Sequence, residues 1–250
     1  MTQVGFKSDV AVNIIILAAG RVQQSQQAVE YPHCLIEVEG KPLLECIVQN
    51  TSSISNASYN FVFLNDEAQK YHLDNIAKLL VPDTVCTHVS KQTKGSACTA
   101  LLATSFMDKD AELLIVSANE LVNISFGNML EEFRNRNYDA GTPIFHSIHP
   151  RYSYIRLDDS GMVVETTQRD PISTNATAGV FWYRKTSDFI EGAKNQIRNN
   201  AHVDGAYFVA PIFNELVLKH KKIGVLKLAE NDYTPLKTSW SHESESKREL

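Results

Sequence analysis

The run "NIIILAAGRVQQSQQAVEYPHCLIEVEGKPLLE", from Asn13 to Glu45, decides the fold. An apolar, β-branched segment over residues 10–18 stops at Gly20, the pattern of a parallel strand buried on both faces. Residues 21–32 are polar and read as a loop. "CLIEVEG" (34–40) then alternates, and "KPLLECIVQN" places Pro42 at a helix start. A strand feeding a glycine turn in this way suits a backbone that cradles an anion.

The pattern continues outward. Strands are expected at 60–65, 84–90, 112–119 and 140–147, with helices at 66–80, 95–107 and 126–137. This alternation predicts an α/β fold: a doubly wound, mostly parallel sheet with helices on both faces. Such sheets bind ligands at the carboxyl ends of their strands. The loops after Ala18, Ser90 and Ala118 should therefore share one edge. Beyond residue 148 the pattern changes. Residues 152–168 read as a hairpin around an Asp-Ser-Gly turn. A strand (175–185), a helix (187–200), a helical stretch (205–220) and a strand (222–228) follow. The expectation is one domain over 1–238, with an alternating half at 10–147 and a small antiparallel β extension at 148–238. A polar tail spans 239–250.

At 250 residues and 43% hydrophobic content, the chain can bury one large core. A net charge of −5 argues against a nucleic-acid footprint, which needs clustered Lys and Arg. The four cysteines (Cys34, Cys46, Cys86, Cys98) show no C-x-x-C spacing and read as reduced thiols. The first residues do not read as a signal peptide, and no run reaches the ~20 apolar residues of a membrane span. We expect a soluble cytoplasmic protein with no membrane partner.

Seven ordered motifs resemble the sugar-phosphate nucleotidyltransferases, in particular their short single-domain bacterial branch associated with surface polysaccharides. They are "ILAAGR", "VEGKPLLE", "KGSACTALLA", "LLIVSANELV", "HPRYSYIRLDDSGMVVE", "DPISTNATAGVFWY" and "YFVAPIFNEL", spread over roughly residues 13–235. The resemblance implies a GT-A-like Rossmannoid fold. It also implies transfer of a nucleotide from a nucleoside triphosphate to a sugar 1-phosphate with release of pyrophosphate. Mg²⁺ on carboxylates is the implied cofactor, and the ligand is a nucleoside triphosphate or nucleotide-sugar. The fold also admits a homodimer.

Carried over residue by residue, the resemblance places Leu17, Ala18, Ala19, Gly20, Arg21, Gly95, Ser96 and Asn119 on the nucleotide. Glu165 and Gly179 fall on the sugar. The catalytic cations fall at Gln24, His33 and Arg169. Several positions depart from the pattern. Val22 stands at the second glycine and Gln24 at the second arginine of G-x-G-x-R. His33 replaces the lysine after proline. Asn119 replaces the metal-binding Asp and offers only a neutral carbonyl to a hard cation. Glu120 and Asp232 are the carboxylates that could stand in. Gln168 and Arg169 occupy the Glu-Lys places, Arg169 keeping a cation.

Three readings remain open on the sequence. The chain is an active nucleotidyltransferase with unusual site residues, or a nucleotide or nucleotide-sugar binding pseudoenzyme with weak or lost catalysis. The third is a scaffold acting through a protein partner. The residues themselves also admit ordinary roles: His33 as a loop histidine, Asn119 as a turn cap, Arg169 as a surface cation, and Tyr152 and Tyr154 as core or cleft wall.

Overall fold

The computed structural model describes residues 10–20, 31–90, 93–234 and 236. β1 (Val12–Leu17) is buried along its whole length. A two-residue hairpin, β2 (Glu37–Val38) with β3 (Lys41–Pro42), leads directly into α1 (Leu43–Thr51). Pro42 stands just before the first turn, where a missing N–H costs nothing. β4 (Ala57–Leu64) follows. The helix expected at 66–80 is two, α2 (Asn65–Tyr71) and α3 (Leu73–Leu80). His72 between them adopts φ 53°, a left-handed cap that ends the first helix.

The first half continues with β5 (Val85–Val89), α4 (Ser96–Ala103), β6 (Glu112–Ser117), β7 (Leu121–Val122), α5 (Phe126–Asn135) and β8 (Ala140–His146). The second contains the hairpin β9 (Ser153–Leu157) and β10 (Val163–Gln168), closed by Gly161 at φ 81°. It then adds β11 (Asn175–Thr177), β12 (Val180–Tyr183), α6 (Thr186–Arg198), α7 (Ile212–Val217), β13 (Ile223–Lys227) and β14 (Tyr233–Thr234). The helical stretch expected at 205–220 is irregular before α7. Tyr207 crosses the start of α4 instead, donating its N–H to Lys94 O (2.7 Å) and accepting from Ala97 N–H (3.0 Å).

The main sheet is mixed around a parallel centre. Its order is β10-β9-β11-β8-β12-β6-β1-β4-β5, with β13 on the other side of β8. The run β6-β1-β4-β5 is parallel throughout. The strand expected at 175–185 bends at Gly179 (φ 69°), so β11 reaches β9 while β12 inserts antiparallel against β6. β12 thereby separates β8 from β6.

Strand alternation builds the two layers. Ile14, Ile16, Phe61 and Phe63 point to one face, toward α1 and α5. Ile15, Leu17, Val62 and Leu64 point to the other, toward α4, α6 and α7. Trp182 donates its indole N–H to Glu112, which is held bidentately by Arg134. No described helix is long and apolar enough to cross a membrane.

Candidate functional site

The parallel strands β1 and β6 end together, and their following loops meet the bend at Gly179. A cleft of about 210 Å³ opens there. Leu17, Ser117, Asn119 and Glu120 lie on its floor, with Tyr152 and Phe208 among its walls. A larger groove of about 540 Å³ lies between α4 and α6, beside Leu101, Ile190 and Lys194. It touches none of the sequence-predicted residues, and it is away from the strand ends where such sheets bind ligands.

At the end of β1, backbone hydrogen bonds hold the following residues onto the sheet. Ala18 N–H donates to Val62 O and Ala118 N–H to Leu17 O, both at 2.9 Å. Ala19 and Gly20 follow at increasing exposure. The Asn119 amide lies beside Gly20, where an added Cβ would meet Asn119 Oδ1 at 3.4 Å. Arg21 and Gln24 lie outside the described residues. His33 is buried at 7% exposure, with Nδ1 3.3 Å from Ala118 O. Its Nε2 has no partner among the described residues. Burial pushes its pKa down, against the smaller opposing effect of the Ala118 carbonyl. His33 is thus a buried ring against the Ala118 carbonyl, and burial favours its neutral form.

Gly95 holds φ 103°, and a Cβ there would stand 2.2 Å from Tyr207 O. Only glycine fits, because the chain at 207 passes directly over it. Ser96 lines the cleft, and its Oγ accepts the Val209 N–H at 3.3 Å.

The opposite side of the cleft carries its charged lining, Glu120 and Arg151. Glu120 Oε2 accepts the Tyr233 hydroxyl at 2.6 Å. Although some of its surface faces the cleft, protein surrounds the carboxyl, and this desolvation raises its pKa. The Tyr233 hydroxyl and the Arg151 charge oppose the shift. Arg151 lies over the Tyr152 ring, 4.5 Å from its centroid. Gln168 also faces the cleft and accepts the Ser153 hydroxyl at 2.5 Å.

Three predicted residues stand apart from this floor. Arg169 adopts φ 62°, pairs with Asp204 at 3.2 Å and lies over the Phe208 ring. Glu165 pairs across the hairpin with Arg156. Asp232 caps its own turn by accepting the Ala229 N–H at 3.0 Å. Sequence reasoning missed Arg151, which lines the cleft, and Tyr233, which contacts the lining residue Glu120. Arg151 lies within the quoted "HPRYSYIRL", and Tyr233 is the residue after Asp232. Neither had a periodic signal, since one lies in an irregular segment and the other in a two-residue strand.

No protein-family model matches the chain, and no curated protein matches it. Solved structures do. A nucleoside-diphosphate-sugar pyrophosphorylase from Vibrio cholerae RC9 superposes with a TM-score of 0.74 at 17% identity, covering 88% of this chain and 93% of its own. A protein assigned as a glucose-1-phosphate thymidylyltransferase from Bacillus anthracis, in complex with sucrose, gives 0.67 at 16% identity, with 88% and 87% covered. A UDP-glucose pyrophosphorylase complexed with UDP-glucose gives 0.68 at 15%, with 87% and 90% covered. The fold is that of the nucleotide-sugar pyrophosphorylases.

Mg²⁺ is the ion this pyrophosphorylase-like fold implies, and the donor set can be tested against it. Among the described residues, no three His, Cys, Asp or Glu side chains converge as a metal site. Glu120 is the carboxylate on the cleft floor, but Tyr233 already occupies one of its oxygens and desolvation favours its neutral form. Asn119 is neutral, and Asp232 is turned to its own backbone. These residues do not fit a hard divalent cation, which wants several charged oxygens.

Proposed function

We propose that the cleft binds a nucleotide-sugar, or a nucleoside triphosphate with a sugar phosphate, and that nucleotidyl transfer in it is weak or lost. The observation that carries this reading is the neutral nucleotide side. His33 is buried and pushed toward neutrality, and Asn119 stands where the chemistry wants a carboxylate. Phosphoryl-type transfer depends on positioning and on fixed charge around the phosphates. Each missing preorganised contact costs on the order of 10²-fold in rate. The cleft itself persists, and two of the superposing proteins are named with UDP-glucose or sucrose bound. On this reading the protein serves polysaccharide biosynthesis in the cytoplasm, as a binding pseudoenzyme and in keeping with its free thiols. A homodimer is part of the same reading.

Calorimetry tests it with UDP-glucose, dTTP and CTP, each with and without Mg²⁺, alongside a pyrophosphate-release assay. Binding in EDTA with little pyrophosphate release is the expected result. Release at ordinary enzymatic rates overturns the reading, and the absence of any nucleotide binding favours a scaffold. Asn119→Asp should raise Mg²⁺-dependent release by about tenfold or more by restoring one charged donor. A fall would show that Asn119 does not occupy the metal position.

A further inference from the structure

Phe106 is 97% exposed, and among the described residues no large apolar side chain is more so. It ends the short 3-10 turn (Thr104–Phe106) that continues α4. Leu102, four residues earlier, is 52% exposed. The residue before Phe106, Ser105, lines the groove of about 540 Å³ between α4 and α6. Leu101 and Ile190 give that groove an apolar lining, and Lys109 and Lys194 line it as well. Exposed Ile197 extends the stripe on α6, since residues 190, 194 and 197 share one helix face. Neither lysine makes an ion pair among the described residues, whereas Glu191 on the same lining is paired with Lys219. The groove is therefore apolar and edged by unspent positive charge.

The segment after Phe106 carries the opposite charge. Asp108 and Asp110 are both exposed. Asp108 Oδ1 accepts the Asp110 N–H at 3.0 Å, and Asp110 meets Lys185 at 3.5 Å in the open. Residues 106–110 thus present an apolar knob followed by carboxylates, and the groove presents an apolar hole edged by lysines. One chain carries both halves. At 97% exposure the knob does not fill its own neighbouring hole. A two-fold axis passing close to both would bring each knob to the other copy's hole, and such a contact closes on itself. We propose that this face binds a second copy of the chain. Phe106 of each copy enters the partner's groove against Leu101 and Ile190, and Asp108 meets Lys194. Each aromatic anchor buries about 150–250 Å². With Leu102 and Ile197 the pair forms an apolar centre inside a charged rim, the anatomy of a specific interface. The proposal gives a surface to the homodimer named above and does not depend on what the cleft binds. Ser96, at the other end of α4, keeps its place on the cleft.

The test is sedimentation of the full chain over about 1–200 µM. The wild type is expected to sediment as a dimer that dissociates on dilution. Phe106→Asp should raise the dissociation constant about a hundredfold, as for a central aromatic anchor. Its circular dichroism should match the wild type, because the side chain packs against nothing within one copy. Lys194→Asp should weaken the dimer about tenfold. Adding Asp108→Lys to Lys194→Asp should restore most of that loss, which a merely structural role for either residue would not do. A dimer indifferent to Phe106→Asp overturns this face and leaves the homodimer to another surface. A charge swap without recovery overturns the pairing across the two-fold axis, and the proposal with it. A wild type that stays monomeric throughout overturns the proposal and the homodimer together. Nucleotide binding is decided separately by the calorimetry above, so neither failure hides the other.

Discussion

His33 and Glu120 are handled in opposite ways on neighbouring parts of one strand end. His33 reaches Ala118, and two residues later Glu120 reaches Tyr233. Desolvation drives both toward their neutral forms, lowering the histidine and raising the carboxyl. Around His33 little counters it, and one ring nitrogen is left without a partner among the described residues. Around Glu120, a phenol and a guanidinium push back. The His33 side of the strand end is thus left to desolvation, whereas Glu120 is held by a phenol within the field of a guanidinium.

The hardest blow to this arrangement falls at the joint between the walls. Gly95→Ala forces a Cβ to 2.2 Å from the Tyr207 carbonyl at a positive φ. It should cost about 3 kcal/mol or more of stability, because backbone must move. Chemical denaturation measures it, and a loss under about 1 kcal/mol would mean that the two segments part easily.

The second probe is acid. His33 has its folded-state pKa below the ordinary 6.5. The unfolded chain therefore takes up a proton first as pH falls. The stability that comes from keeping the ring neutral is complete above about pH 6.5 and is lost as pH drops from there toward the depressed folded value. Glu120, with its folded pKa raised, contributes in the other sense, its stabilisation fading as pH rises from about 4.5. Subtracting the stability profile of His33→Gln from that of the wild type should leave a difference that shrinks below pH 6.5. A flat difference would mean that His33 is solvated. The mildest change is Asp204→Asn, which breaks the exposed pair with Arg169. It should move stability by no more than about 0.5 kcal/mol, as chemical denaturation would show.

The parallel centre was legible because β1, β4 and β6 are continuous apolar runs, and burial on both faces writes itself into composition. Leu17, Asn119 and Gly179, singled out by motif position, all line the cleft. Other features were not legible, for physical reasons. The break at His72 depends on one left-handed residue inside an otherwise helical pattern. The bend at Gly179 looks like uninterrupted strand in sequence. Arg169 looked like the cleft cation because its neighbours matched, yet the backbone turns at φ 62° and aims it toward Asp204. Tyr233 acts through a contact with Glu120 that is long in sequence and short in space, so no local pattern carries it.

The placement of β12 between β6 and β8 also bears on how the protein is made. A ribosome that has delivered the chain only as far as Gln168 has released β6 with one of its two edges bare. The emerging protein must wait for residues 180–183 to cover that edge. Until then it offers backbone donors and acceptors to any stray strand nearby. Translation speed through the 170s should therefore govern how much of it escapes clumping.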